Sequence, residues 1–150
     1  SRIRNEIIKL SPSVILHELL YEDRCDTDVE IEERLRTCKE GGICDPRLNK
    51  DIYRLGKALG CKLIGIDIGF INTKLTLRES FELRERHMLK IIETCLVEFK
   101  GETIVIVVGD AHLRTTETDE LGPASLVRAR LAKIPGTKIV RSTSLSAEIH

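Results

Sequence analysis

Thr103-Ile-Val-Ile-Val-Val-Gly-Asp-Ala-His-Leu-Arg114 is the stretch that decides the fold. Its β-branched run, Ile104 to Val108, has no polar interruption and is closed by Gly109. A strand with one wet face would alternate, so this one reads as buried on both faces, as in a parallel sheet. Open α/β sheets bind ligands at the carboxyl ends of their strands. Gly109, Asp110 and His112 fall at that end.

Outward from this strand, helical and strand-like segments alternate. Residues 77–100 form the longest helix, with Phe81, Met88, Ile91, Ile92, Cys95, Leu96 and Phe99 on a 3.6-residue stripe and Gly101 as its stop. Residues 62–68 read as a second buried strand and residues 69–76 as a loop. Asp45 and Pro46 open a helix as N-cap and first helical residue, running through Ile52 and Leu55 to Gly60. Residues 28–38 are charged and helix-prone, and residues 14–19 read as a strand. Residues 2–10 place Ile3, Ile7 and Leu10 on one helical face before Ser11 and Pro12 stop it. Downstream, a helix is expected from Pro123 through Leu131 and a last strand over residues 138–142. This order predicts a single three-layer α/β domain over residues 1–150, with a mostly parallel sheet of about four strands flanked by helices.

Composition sets the outer bounds. The 41% hydrophobic content suits a globular chain and excludes a disordered one. No apolar run approaches the ~18 residues needed to cross a bilayer. The N-terminal residues have no signal-peptide core, so cytoplasm is the expected compartment. Lys+Arg and Asp+Glu balance at 24 each, which gives no global field for nucleic acid or anionic membrane. The absence of Gln, with only Asn5, Asn49 and Asn72, fits a thermophile or a biased genome. Of the cysteines, Cys38 and Cys44 have the spacing of a small disulfide loop, whereas Cys61 and Cys95 lie in apolar contexts and read as core packing. Neither paired CxxC units nor short Cys/His spacings occur, so no zinc motif is present.

Chemistry is expected where three strands end in polar residues. The first offers His17 and Glu18, then Arg24; the second offers Asp67; the third offers Gly109, Asp110 and His112. His17 and Glu18 are adjacent and point to opposite faces of a strand, so only one faces the site, and Glu18 is the choice. Asp67 is read either as a ligand group or as a strand-end turn former. On the long helix, the charged run from Arg78 to His87 reads as a solvated face. Arg84 is the exception: four residues before Met88, it follows that residue toward the sheet. No Gly-x-Ser-x-Gly elbow, Walker loop or Gly-x-Gly-x-x-Gly turn is present.

Three segments in order resemble the TraB/Tiki superfamily, which includes the erythromycin esterase and ChaN-like groups. Residues 11–24, with Glu18 and Arg24, resemble its strand followed by Glu-Leu and Arg. Arg84-Glu-Arg-His-Met88 resembles its helix with Arg, an acidic residue and Met. Gly109 and His112 match its Gly-x-x-His after a buried strand. The superfamily's earlier strand, with a further Gly-x-x-His, has no counterpart before Arg2, as expected of a fragment or of a chain with half the site.

The resemblance implies metal-assisted hydrolysis of a small-molecule or peptide substrate. Glu18 would be metal ligand or general base and His112 a ligand to a divalent ion such as Mn, Co or Zn. Arg84 would stabilise an anionic group, while Gly109, Asp110, Arg24 and Asp67 would complete the binding site. The competing expectations are a non-catalytic domain that binds a small ligand such as a nucleotide, and a homo-oligomeric or protein-interaction module.

Overall fold

The computed structural model describes residues 2–21, 46–68 and 74–138; for Leu19 to Tyr21 and residues 46–50 only the backbone is described. The elements are α1 (Arg2–Leu10), β1 (Val14–Tyr21), α2 (Pro46–Ala58), β2 (Lys62–Asp67), α3 (Leu77–Glu98), β3 (Ile104–Val107), a short 3-10 helix (Asp110–Leu113) and α4 (Leu126–Leu131). Among the described residues the strands form an all-parallel sheet in the order β2-β1-β3. The expected strand at residues 138–142 lies almost wholly outside the described residues, as do the expected helix at residues 28–38, Arg24, and Cys38 with Cys44.

Period-two alternation on β1 sorts the layers. Val14 and Leu16 join Ile66, Met88, Ile92 and Val127 in one buried cluster, which places α3 and α4 on that face. Ile15 points the other way and packs with Ile7, Ile52 and Leu55 of α1 and α2. Glu18 continues the Val14–Leu16 set and therefore faces α3. The expected α/β architecture, helices on both faces of a parallel sheet, is present.

Local chemistry fixes the helix ends. Thr76 caps α3, its Oγ1 accepting from the Glu79 amide at 3.2 Å, and Gly60 and Gly101 turn the chain out of α2 and α3 at φ +70° and +85°. Two expectations are corrected. The last helix starts at Leu126 rather than Pro123, because Ser125 is the N-cap and its Oγ accepts from the Arg128 amide at 3.0 Å. Leu10 is 46% exposed instead of sharing the buried face of Ile7.

β1 is the central strand and the first of the three in sequence; the chain passes from it to β2 on one edge and then crosses over to β3 on the other, which puts a reversal of strand order beside β1. Ligand sites in open sheets form at the carboxyl end of such a switch point. The pairing of β1 with β2 is regular from Val14 to His17 and then slips, a step of four residues along β1 (His17 to Tyr21) matching a step of two along β2 (Gly65 to Asp67). An irregularity of this kind bends a strand and re-aims its side chains, and this one brackets Glu18.

Candidate functional site

The carboxyl end of the sheet gathers a cluster of charged groups from β1, β2, α3 and the segment after β3. Glu18 is its centre. One carboxylate oxygen accepts from Arg84 Nη2 at 2.9 Å and from His112 Nε2 at 3.1 Å; the other accepts from the Gly109 amide at 2.5 Å. Arg84 also forks onto Asp67, with Nε to Oδ1 at 3.0 Å and Nη2 to Oδ2 at 2.9 Å. Asp67 Oδ1 takes a further bond from the Ile68 amide at 2.8 Å, which ends β2 and holds the carboxylate in place.

His112 lies between two carboxylates. Its Nδ1 donates to Glu85 Oε2 at 2.9 Å, and the other Glu85 oxygen accepts from the Leu126 amide at 2.8 Å. Both residues are buried, His112 at 1% and Glu85 at 2% exposure. Phe81, one turn before Glu85, stacks on the imidazole at 4.7 Å between centroids and 11° between planes. The Ser125 hydroxyl donates to the His112 carbonyl at 2.7 Å.

These contacts set the protonation states. Burial would raise the Glu18 carboxyl, but the hydrogen bond and charge of His112, the Gly109 amide and Arg84 outweigh it and hold it down at about 2. Burial would likewise disfavour the imidazolium, yet the bonds to Glu18 and Glu85 and their charges push His112 up to about 9. Burial opposes the Arg84 charge too, and Asp67 and Glu18 more than restore it, so its pKa is raised. At neutral pH the cluster is therefore an ionised network in which His112 carries both protons.

The expected residues divide clearly. Glu18, Asp67, Arg84, Gly109 and His112 are brought together, from positions up to 94 residues apart. Asp110 is exposed in the 3-10 helix and does not join them, and Arg24 lies outside the described residues. His17 is buried at 3%, on the strand face opposite Glu18. Glu85 was hidden in the charged run read as a solvated face. Its signal was positional: with Phe81, Met88 and Ile92 it falls at i, i+4, i+7 and i+11, a carboxylate inside an apolar stripe.

The described residues as arranged do not fit a divalent cation. Both nitrogens of His112 lie against carboxylates, and the Glu18 oxygens face a guanidinium, the imidazole and an amide, so no donor atom of the pair is turned toward open space. No group of three or more His, Cys, Asp or Glu side chains among the described residues is arranged to hold a metal ion. What the arrangement offers is a buried ionised carboxylate in direct contact with a protonated imidazole.

No family model and no curated protein sequence matches the chain. Among solved structures it is similar to RRSP, a MARTX toxin effector domain from Vibrio vulnificus CMCP6, with a TM-score of 0.50 and 17% identity over 84% of this chain and 27% of that one. A second structure, described as bacterial protein toxins, aligns at a TM-score of 0.46 and 19% identity over 85% of this chain and 28% of that one. The chain thus spans about a quarter of the length of the solved structures it matches. At such identities the likeness is one of fold. No helix among the described residues is long and apolar enough to cross a membrane.

Proposed function

We propose that this chain is a TraB/Tiki-like hydrolytic domain in which Glu18 and His112 form an acid–base pair at the carboxyl edge of the sheet. The observation that carries this reading is the 3.1 Å contact between two groups whose environments drive their pKa values apart, to about 2 and about 9. Such divergence assigns roles: the group held ionised takes a proton, and the group held protonated gives one. Glu18 would remove a proton from water as its oxygen attacks an ester or amide carbonyl. His112 would protonate the departing oxygen or nitrogen as the acyl bond breaks. The proton on Glu18 then returns to the neutral imidazole directly across the same contact. Glu85 orients the ring through Nδ1, and Arg84 keeps Glu18 charged and in place.

The competing reading, a divalent ion on Glu18 and His112, would require the ring to shed its Nε2 proton and the Glu18 contact to open. The test is hydrolysis of a panel of carboxylic esters and peptides, with EDTA or with added Mn²⁺, Co²⁺ or Zn²⁺. Acid–base chemistry predicts turnover that resists EDTA and falls about 100-fold or more in Glu18→Gln and His112→Asn. Turnover that appears only with metal would overturn the acid–base pair. No turnover under any condition, with thermal stabilisation by nucleotides, would replace hydrolysis by the small-ligand reading.

A further inference from the structure

Arg114, two residues after His112, has no role in that chemistry, yet its guanidinium is bonded in an unusual way. Nε donates to the Ala111 carbonyl at 3.1 Å. Nη1 donates to the Thr116 carbonyl at 3.1 Å, the Gly122 carbonyl at 3.3 Å and the Thr118 hydroxyl at 3.4 Å, and Nη2 donates to the Pro123 carbonyl at 3.0 Å. Four of the five acceptors lie on the loop that follows the 3-10 helix, the fifth is Ala111 within that helix, and none is a carboxylate. A half-buried cation bonded to four carbonyls and a hydroxyl ties the loop to the 3-10 helix and fixes its shape without an ion pair.

The fixed loop ends at the site. The Ser125 amide donates to the Arg114 carbonyl at 3.0 Å, and the Ser125 hydroxyl then reaches the His112 carbonyl. The next amide, Leu126, holds Glu85 in place against the ring. The guanidinium carbon also lies 5.0 Å from the centroid of Phe81, the ring that stacks on His112. A second hold acts from α3. Gly122 sits at φ +82° against Arg78, with space so tight that a Cβ would lie 2.6 Å from Nε, and Arg78 pairs with Glu117 at 3.7 Å.

We propose that Arg114 is the positioning residue of the site: by gathering the loop after the 3-10 helix it delivers Ser125 and Leu126 onto His112 and Glu85 and so holds the imidazole in one orientation. Its functional meaning rests on the acid–base reading of His112, but the positional claim is tested on the ring itself. Arg114→Lys keeps the charge and loses the fork, because one ammonium cannot span acceptors from Ala111 to Pro123. Gly122→Ala disturbs the same loop from its far end, through the backbone strain at φ +82°, and keeps the Arg114 guanidinium.

In chains labelled with ¹⁵N-histidine, the Nδ1 proton bonded to Glu85 is read by NMR and assigned by its loss in His112→Asn. We expect that proton to exchange with water at least about tenfold faster in Arg114→Lys and in Gly122→Ala, with the helical circular dichroism retained. Arg86→Ala, which breaks only an exposed pair with Glu82, leaves it unchanged. An unaltered Nδ1 proton in folded Arg114→Lys overturns the proposal. If that variant does not fold, Gly122→Ala decides in the same way. Absence of hydrolysis by the unaltered chain would remove the acid–base reading without moving this signal, so the two failures are distinct.

Discussion

Replacing Glu85 by Gln changes one oxygen to an amide nitrogen and removes one negative charge from a site 2% exposed. The consequence can be worked from two contacts. Raising a histidine from 6.5 to about 9 corresponds to about 3 kcal/mol of preference for the charged ring. Glu18 and Glu85 share that preference, so loss of one charge forfeits roughly half, about 1 to 2 kcal/mol. The amide can accept from either His112 Nδ1 or the Leu126 amide but not both, and the stranded donor costs a further ~1–3 kcal/mol. The sum, about 3 kcal/mol, matches the ~3–5 kcal/mol typical of breaking a buried pair.

The charge part has a pH signature. His112 titrates higher in the folded chain than unfolded, so its contribution is complete below pH 6.5 and fades as pH rises through about 9. Urea unfolding of wild type and Glu85→Gln should therefore differ by about 3 kcal/mol at pH 6 and by about 1 to 2 kcal/mol less at pH 10. A difference below about 1 kcal/mol at pH 6, or one that is equal at both pH values, would refute the ionised network.

Two further outcomes follow from the same cluster. Arg84→Met leaves Asp67 without its guanidinium partner and Glu18 with His112 as its remaining cation, and should cost about 3–5 kcal/mol in denaturant unfolding at pH 7. Arg84→Lys should recover only part of the loss, because an ammonium cannot reproduce the fork onto Asp67. On the acid side, Glu18 titrates lower folded than unfolded, so its stabilisation is present above pH 4.5 and is lost as pH falls through about 2. Acid unfolding of Glu18→Gln, followed by circular dichroism, should lack that decline, and a decline equal to wild type would contradict the assigned state of Glu18.

Much of this was readable in the chain because it depends on local periodicity. The uninterrupted run from Ile104 to Val108 marks a strand of the parallel sheet with apolar neighbours on both faces. As an edge strand of the described sheet it is half-buried rather than buried. Parity on β1 separates Glu18 from His17. Arg84 was legible from its spacing to Met88. Glu85 was not, because a charge amid charges reads as solvent-facing until the helix phase is known. Arg114 was not legible either: four of its five partners are backbone carbonyls, which every sequence possesses and no sequence displays. Ser125 is hidden behind Pro123, since proline marks helix starts well but does not show which following hydroxyl closes the first turn.

The placement of β1 at the centre of the described sheet also matters before the fold exists. Its partner β3 arrives some ninety residues later in synthesis, and pairing must wait for it. β2 arrives about halfway through that interval, so an apolar strand with first two open edges and then one is a template for other chains. His17 and Glu18 interrupt the run between Leu16 and Leu19, leaving only three consecutive apolar residues, Val14 to Leu16, on their amino side. Polar interruptions of this kind are what keep nascent strands from associating. The carboxylate at the heart of the finished site thus also protects the unfinished chain, so Glu18 variants should be judged for yield on expression as well as for turnover.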